Sequence, residues 1–236
     1  MTALIFHERI GLERRRISPF SWRIRYAFAH KGLTPEVVET RFADVDRIRR
    51  LSGQHMVPII EHDGTVVHDS WSIACHLEDR FPDAPPLFGG GIGRGVTRMA
   101  NLWADTVLSP ALRIQILPDF PGVLMPEDRA YYRSSREAEL GMTLEEAASG
   151  RDAALPALAA LCRPLQLTLS EQPFLSGTAP AYADYIVFSL FQYARIGSPR
   201  DMLALMPELP AVLDWRTRMI GLFDGMGDRF GLHPRN

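Results

Sequence analysis

The pattern of apolar and polar positions over residues 57–81 predicts two short strands, a tight turn and a helix. Residues 57–60 and 65–68 contain β-branched side chains, and an Asp-Gly pair between them favours a turn. Asp69 and Ser70 then stand where a helix N-cap belongs. The apolar residues that follow at helical spacing are Ile73, Ala74, Leu77 and Phe81. We therefore expect a hairpin that leads directly into an amphipathic helix.

The chain before this hairpin predicts a strand, a helix and a second strand. Residues 3–7 form a short apolar run, and a polar loop is expected after them. Ser18 and Pro19 are typical of an N-cap and a first helical position, and a glycine ends the helical pattern. Residues 36–40 predict the second strand, and residues 41–53 have room for a short helix before the hairpin. The predicted order is βαβ followed by ββα.

The whole chain is predicted to be an α+β protein with two domains. The βαβ-ββα order is that of a thioredoxin-like domain, expected over residues 1–82. Residues 83–95 are rich in proline and glycine, which favours a linker. An all-helical domain is expected over residues 96–236, and Pro110 is expected to kink its first helix. The helical segments predicted in this domain are 96–117, 126–148, 151–169, 180–196 and 207–223.

Composition narrows the class of protein. Hydrophobic residues make up 46% of the chain and charged residues 23%, a balance typical of soluble globular proteins. The net charge of −2 gives no electrostatic reason to bind nucleic acid or an anionic membrane. The chain has neither a membrane-spanning apolar run nor the features of a signal peptide, so we expect a cytoplasmic protein. Cys75 and Cys162 show no metal-ligand spacing, and no metal site is predicted.

Two features near the hairpin suit a peptide ligand. Pro58 cannot donate to a strand ladder, so it lies either at a sheet edge or after a constrained, cis peptide bond. In both cases Val57 can offer its backbone N–H and C=O to a ligand. The hydroxyl, the free N–H groups and the dipole at Asp69 and Ser70 suit a carboxylate. An ordinary hairpin and an ordinary N-cap explain the same residues, so this pattern leaves both interpretations open.

These motifs resemble the glutathione-binding domain of the glutathione S-transferase superfamily. The resemblance rests on Val57-Pro58 followed by Asp69-Ser70, behind an N-terminal strand and a Ser-Pro helix start. It implies glutathione as the cosubstrate and a cis bond before Pro58. The backbone of Val57 would pair with the cysteinyl part of glutathione, and Asp69 and Ser70 would hold its γ-glutamyl end.

The residues just before Val57 are candidates for the glycine end of glutathione. Gln54, His55 and Met56 occupy these positions. We expect one of them to lie beside that end, and Gln54 and His55 are the two predicted contacts. The sequence does not choose between these two residues.

Ser18 is the candidate catalytic residue. The nucleophile in such an enzyme is the thiolate, whereas an ordinary cysteine thiol has a pKa of about 8.5. A hydroxyl at a helix N-terminus supplies both a donor and a favourable dipole for the sulfur anion. A role limited to capping its own helix explains Ser18 equally well, and Ser21 is a second candidate for the donor within one turn. No cysteine stands at the Ser18 position, which disfavours thiol–disulfide exchange through the protein.

A closer resemblance can be named within the superfamily. Residues 18–33 (SPFSWRIRYAFAHKGL), residues 69–88 (DSWSIACHLEDRFPDAPPLF) and the C-terminal LFDGMG are similar to the bacterial glutathione-dependent β-etherases and a related fungal class. The resemblance implies displacement of an aryloxide from a β-aryl ether. One departure is the run Arg14, Arg15 and Arg16 before the Ser-Pro motif. These arginines either form a solvated surface or attract an anion, which would be the glycyl carboxylate of glutathione or an acidic substrate.

The second substrate is expected between the two domains. Its candidate contacts are Trp103, Leu117, Phe120 and Tyr131, although aromatic residues at helical spacing fit a core equally well. The leading hypothesis is a homodimeric glutathione transferase that attacks an aromatic or other hydrophobic electrophile, with β-aryl ether cleavage as its narrower form. The alternatives are a non-catalytic protein that binds glutathione or aromatic ligands, a glutathione peroxidase and a dehalogenase.

The segment PAYADY at residues 180–185 stands where this superfamily has a helix with an N-capping box. Asp184 fits the acidic position of the box, but Ala181 replaces the expected Ser, Thr or Asn. We expect this replacement to cost about 1 kcal/mol unless another group serves the helix start.

Overall fold

The computed structural model describes residues 4–232. Within this range, four strands form one mixed sheet in the order β2-β1-β3-β4. β1 pairs with β2 in parallel, and the β1–β3 and β3–β4 pairs are antiparallel. The bounds are Ile5–Arg9 for β1, Glu36–Thr40 for β2, Ile59–His62 for β3 and Thr65–His68 for β4. The predicted hairpin and the predicted second strand are confirmed. β1 ends two residues later than expected, and Ala3 lies outside the described residues.

Three helices complete the predicted βαβ-ββα order: α1 (Pro19–His30), α2 (Val45–Ser52) and α3 (Ser70–Arg80). α1 and α3 pack against the sheet because their apolar faces meet its buried side chains. Phe6 on β1 is 1% exposed, and its ring lies 5.2 Å from that of Phe28 on α1. These contacts fix where the N-termini of both helices lie relative to the start of β3.

The edge-strand alternative for Pro58 is wrong. β3 begins directly after this proline and lies between β1 and β4, in the interior of the sheet. The other alternative is confirmed, because the Val57–Pro58 peptide bond is cis. Pro58 stands just before the paired residues of β3. Its lack of a backbone N–H therefore removes no hydrogen bond from the sheet.

The rest of the described chain is helical, as predicted. The α-helices are α4 (Gly91–Trp103), α5 (Ser109–Ile116), α6 (Arg129–Leu140), α7 (Leu144–Ser149), α8 (Leu155–Glu171), α9 (Tyr182–Gly197) and α10 (Pro210–Gly225). A π-helical turn at Ala104–Leu108 joins α4 to α5 directly before Pro110, where the kink was expected. α4 begins inside the expected linker, and the division into residues 1–82, 83–95 and 96–236 stays a prediction.

α1 lies against α9 through buried aromatic and polar contacts. The ring of Tyr26 is 5.4 Å from Tyr185 and 5.2 Å from Phe188. Arg23, which is 0% exposed, donates to the Ser189 hydroxyl at 3.2 Å and to Asp105 at 2.6 Å. Because a buried guanidinium is costly unless paired, these bonds hold α1 in one orientation.

The start of α9 depends on one buried carboxylate. Asp184 is 0% exposed and accepts hydrogen bonds from four donors. They are the backbone N–H groups of Leu175 (2.7 Å), Ser176 (3.1 Å) and Ala181 (3.2 Å) and the indole N–H of Trp215 (2.9 Å). The bond to Ala181 is the acidic half of the predicted capping box. Ala181 has no side-chain oxygen, so the other half is missing, as the sequence indicates.

None of the helices between residues 4 and 232 combines the length and the apolar character that a membrane crossing requires.

Candidate functional site

A cavity of about 250 Å³ lies where β3 and α3 begin. Its lining residues are Phe20, Gln54, Met56, Val57, Pro58, His68, Asp69 and Ser70. The structure therefore brings together the predicted residues Gln54, Val57, Pro58, Asp69 and Ser70, which come from two separate segments of the chain. His55 is exposed and does not line this cavity.

Val57 offers its main chain to this cavity. The residue is 8% exposed, and neither its N–H nor its C=O makes a hydrogen bond with another residue in the range 4–232. The side-chain amide of Gln54 donates to the Met56 carbonyl at 2.8 Å and accepts from the Met56 N–H, so it holds the loop before Val57. A ligand with an extended backbone can satisfy the two open groups of Val57.

The first turn of α3 supplies the polar wall of the cavity. Asp69 is the N-cap, and its carboxylate accepts from the Ser72 N–H at 3.0 Å. Asp69 has a φ of 71°, a conformation that non-glycine residues adopt uncommonly. Ser70 is 3% exposed and is the first helical residue. The helix start suits a carboxylate, and the Asp69 carboxylate suits a cation beside it.

Tyr182 on α9 forms a hydrogen bond to the backbone of Ser70. Its hydroxyl donates to the Ser70 carbonyl at 2.8 Å, and its side chain is fully buried. Burial raises the pKa of this phenol well above its ordinary value, so the hydroxyl stays protonated as a donor. The neighbouring ring of Trp71 lies 5.2 Å from Phe88 and 6.3 Å from Tyr182. The helical part of the chain thus fixes the position of the α3 start.

Ser18 is the N-cap of α1, as predicted. Its hydroxyl oxygen accepts from the Ser21 N–H at 3.2 Å, and the residue is 9% exposed. This bond leaves the hydroxyl proton of Ser18 available for donation. Ser18 does not line the 250 Å³ cavity, whereas Phe20 on the same turn does. The side-chain oxygen of Ser21 is buried and has no hydrogen-bond partner within residues 4–232. The catalytic role of Ser18 stays a prediction.

The three arginines before Ser18 bind other parts of the fold. The Arg16 guanidinium lies 3.0 Å from the fully buried Glu8 carboxylate and 2.8 Å from Glu39. Arg14 also pairs with Glu39, at 2.7 Å. Arg15 donates to the Leu232 carbonyl at 2.9 Å. These contacts support a structural role for Arg15 and Arg16, and only Arg14 is largely exposed, at 74% of its side chain.

The four candidate contacts for a second substrate do not lie together. Trp103 lines a separate cavity of about 1070 Å³. Leu117 and Phe120 are each 2% exposed within the core, and the Phe120 ring stacks on Tyr132 at 5.1 Å. Tyr131 is 48% exposed on α6. None of the four lines the 250 Å³ cavity, and their role in binding a substrate stays a prediction.

The sequence did not single out Phe20, His68 or Tyr182. Phe20 and His68 line the small cavity and are chain neighbours of predicted residues, so their proximity was a usable signal. Tyr182 is separated from Ser70 by 112 residues, and its contact depends on the packing of α9.

Two family models match the chain. Residues 17–80 match the model described as "Glutathione S-transferase, N-terminal domain", and residues 97–205 match "Glutathione S-transferase, C-terminal domain". A "Probable glutathione S-transferase" from Oryza sativa subsp. indica is 32% identical over 53% of this chain and 59% of its own length. A "Probable glutathione transferase" from Aplysia californica is 35% identical over 31% of this chain and 79% of its own length. The chain thus spans about three fifths of the rice relative.

The fold is also found in solved structures. A glutathione S-transferase of Ceriporiopsis subvermispora in complex with glutathione superposes with a TM-score of 0.72 and 19% identity, covering 99% of this chain and 100% of that one. The β-etherase LigF from Sphingobium sp. strain SYK-6 superposes with a TM-score of 0.70 and 19% identity, covering 95% of this chain and 97% of its own. At these identities the superpositions show a shared fold.

Proposed function

The chain belongs to the glutathione S-transferase superfamily, and from that premise we propose that it is a glutathione transferase that uses the 250 Å³ cavity to bind glutathione. The observation that carries the proposal is the meeting of Val57, Asp69 and Ser70 around one cavity beside the start of α1. In this arrangement the backbone of Val57 pairs with the cysteinyl residue. Asp69 attracts the amino group of the γ-glutamyl end, and the α3 N-terminus holds its carboxylate.

The proposed chemistry is nucleophilic substitution by the glutathione thiolate. The thiol releases its proton to solvent, and the Ser18 hydroxyl donates a hydrogen bond to the resulting sulfur anion. The sulfur attacks a carbon of an aromatic or other hydrophobic electrophile, a C–S bond forms, and the leaving group departs with its electron pair. For a β-aryl ether the leaving group is an aryloxide, which takes a proton from water.

We propose β-aryl ether cleavage as the narrower activity. The resemblance of residues 18–33 and 69–88 to β-etherases supports it, and the fold match to the Sphingobium enzyme is compatible with it. A panel of β-aryl ethers, aryl halides and hydroperoxides with glutathione tests this choice. Turnover of the ether with release of one phenol per thioether is expected. Turnover of halides or hydroperoxides alone would favour a dehalogenase or a peroxidase, and binding without any turnover would favour a ligand-binding protein.

Replacing Tyr182 by phenylalanine is expected to weaken glutathione binding roughly fivefold to tenfold, since it removes one hydrogen bond worth about 1 kcal/mol at the Ser70 carbonyl. The effect should appear mainly in the KM for glutathione, because Tyr182 holds the binding helix and does not touch the sulfur. Steady-state kinetics with a soluble electrophile measures both constants. Tyr193→Phe, on the same helix and away from the cavity, is the matched control. An unchanged KM for Tyr182→Phe would show that Ser70 needs no support from α9.

We also propose that the protein is a homodimer. A row of exposed apolar residues follows α4 at helical spacing: Ile92 (89% exposed), Val96 (62%), Met99 (66%) and Leu102 (46%). Exposed apolar rows of this kind are typical of protein interfaces. Light scattering should give the mass of two chains for the wild type and of one chain for Ile92→Asp with Leu102→Asp. Met142→Asp, at an exposed residue outside this row, should remain dimeric. A single-chain mass for the wild type would exclude the homodimer.

The cytoplasmic location predicted from the sequence is part of the proposal. Fractionation of cells that express the full natural gene tests it, and recovery in the membrane or periplasmic fraction would exclude it.

A further inference from the structure

Residues 222–232, here called the return segment, reverse the chain at the end of α10 and lead it back to α1. Three consecutive residues with positive φ make the reversal: Phe223 (52°), Asp224 (56°) and Gly225 (72°). Two of them are not glycine, and such residues keep this conformation only where their surroundings hold it. The Phe223 ring lies 5.7 Å from Tyr26 on α1, and the Gln192 amide on α9 donates to the Gly227 carbonyl at 2.6 Å. Helices α1 and α9 therefore fix the direction of the return segment.

The return segment reaches the loop that precedes Ser18. The ring centroid of Phe230 lies 5.1 Å from Cζ of Arg16 and 4.3 Å from Cζ of Arg25. The same ring packs edge-on against Trp22 on α1, with the two centroids 5.9 Å apart. The face of an aromatic ring attracts a cation within about 6 Å of its centroid. Phe230 therefore bridges the loop before Ser18 and the helix after it.

The same two arginines share one buried carboxylate. Glu8 on β1 is 0% exposed, the Arg16 guanidinium lies 3.0 Å from its carboxylate, and Arg25 donates to it from Nε at 3.3 Å. Arg16 stands two residues before Ser18, and Arg25 stands on α1 after it. Glu8 thus holds the chain on both sides of this serine. Removing the Phe230 ring would let water reach the two guanidinium groups and would weaken their attraction to Glu8, since a higher local dielectric weakens ion pairs.

The loop at residues 11–15 is strained, and the return segment holds it. Glu13 and Arg14 have φ values of 53° and 58°, which are uncommon for residues other than glycine. Arg15 is 5% exposed and donates from Nε to the Leu232 carbonyl at 2.9 Å. Backbone strain of this kind persists only while the surrounding contacts maintain it. Losing the contacts of the return segment would therefore free the chain just before α1.

We propose that the return segment positions the Ser18 hydroxyl: by holding Arg16 and Arg25, Phe230 places this hydroxyl where it donates to the glutathione sulfur. The inference rests on the proposed function. Residues 222–232 line neither the 250 Å³ cavity nor the 1070 Å³ cavity, so Phe230 acts through Ser18 and is a positioning residue. The motif LFDGMG at residues 222–227 has the part of turning the chain so that Phe230 reaches α1.

The variant Phe230→Ala tests this role. We expect it to lower kcat with chlorodinitrobenzene roughly fivefold, because a small displacement of Ser18 weakens its bond to the sulfur. The pKa of the bound thiol should rise toward the ordinary value of about 8.5, as measured by the ultraviolet absorbance of the thiolate. Glutathione affinity, measured by calorimetry, should change by less than about twofold, since Phe230 does not line the 250 Å³ cavity.

Two further variants are the controls. Phe230→Tyr keeps the ring beside both guanidinium groups and should retain the wild-type kcat and thiol pKa. Phe174→Ala removes a ring that lies 5.9 Å from Cζ of Arg218, and these two residues belong neither to α1 nor to the loop before it. It should change neither quantity. A loss in Phe174→Ala equal to that in Phe230→Ala would show that any missing ring has this effect, and would overturn the proposal.

A double variant separates positioning from a general loss of stability. In a Ser18→Ala background, Phe230→Ala should cause no further change in kcat or in the thiol pKa, because the donor that it positions is absent. If the effects of the two changes add, Phe230 acts independently of Ser18 and the proposal is wrong. An unchanged thiol pKa in Phe230→Ala alone would also overturn it.

Hydrogen exchange without glutathione tests the same contacts independently of the proposed function. The amides of residues 11–21 should exchange roughly tenfold faster in Phe230→Ala than in the wild type, whereas those of residues 182–197 on α9 should keep their rates. Equal exchange over residues 11–21 in the two proteins would overturn the proposal. If the wild type does not bind glutathione, the proposed function fails, and the exchange rates alone decide whether the return segment holds Ser18.

Discussion

Replacing Ser18 by alanine is expected to lower kcat roughly tenfold or more while glutathione affinity changes by less than about twofold. The hydroxyl of Ser18 is proposed to donate a hydrogen bond to the sulfur anion, and its removal raises the pKa of the bound thiol. The falling limb of the pH–rate profile toward acid should therefore move to higher pH in the variant, toward the ordinary thiol value of about 8.5. Single-turnover rates across pH measure both effects.

The same change also removes the N-cap of α1, because Ser18 accepts from the Ser21 N–H. Two variants separate the roles. Ser18→Gly keeps most of the helix start, at a cost of a few tenths of a kcal/mol, and still lacks the hydroxyl. Ser18→Thr keeps both the cap and the hydroxyl and should retain most of the turnover. If Ser18→Gly is as active as the wild type, Ser18 only caps its helix. Loss of turnover in Ser21→Ala instead would assign the donor to Ser21.

Replacing Asp184 by alanine is expected to lower the free energy of unfolding by about 4 kcal/mol. The carboxylate satisfies three backbone N–H groups and the Trp215 indole in a site that is closed to water. Each buried donor left without a partner costs about 1–3 kcal/mol, and partial relaxation offsets some of the sum. Urea denaturation followed by tryptophan fluorescence measures the change.

Two further variants make the Asp184 result specific. Asp184→Asn keeps the shape and one acceptor oxygen, so we expect an intermediate loss. Asp228→Ala removes an aspartate whose side chain is 60% exposed and paired with Arg195, and should cost less than about 1 kcal/mol. A loss for Asp184→Ala no larger than that of Asp228→Ala would mean that water replaces the carboxylate. In that case Asp184 would not compensate for Ala181, and the start of α9 would be weak, as the sequence predicts.

The sequence pattern correctly predicted those strands whose bounds depend on residues close together in the chain. β2 and β4 have the predicted bounds because β-branched residues and an Asp-Gly turn define them. The position of Pro58 relative to the sheet edge could not be predicted in this way. Whether a strand lies inside or at the edge depends on pairing between distant segments, here β3 with β1. β3 also begins two residues later than expected, after the cis bond.

Part of the lining of the 250 Å³ cavity could be predicted because it comes from short, local sequence motifs. Val57 and Pro58 lie beside one strand, and Asp69 and Ser70 begin the next helix, so short-range motifs identify them. The predicted contacts of the second substrate were based on helical periodicity. Periodicity indicates that a helix has an apolar face, but it does not indicate whether that face packs in the core or lines a cavity. Phe120 meets Tyr132 in the core, whereas Trp103 lines the separate cavity of about 1070 Å³. Only tertiary packing separates these outcomes.

Calorimetric titration with glutathione is the most direct test of the central claim, that the cavity around Val57, Asp69 and Ser70 binds this tripeptide. We expect a saturable heat with a Kd at or below about 1 mM. Cysteinylglycine, which lacks the γ-glutamyl end held by α3, should bind roughly tenfold more weakly or worse. No heat at millimolar glutathione, or equal affinity for the two peptides, would contradict the account.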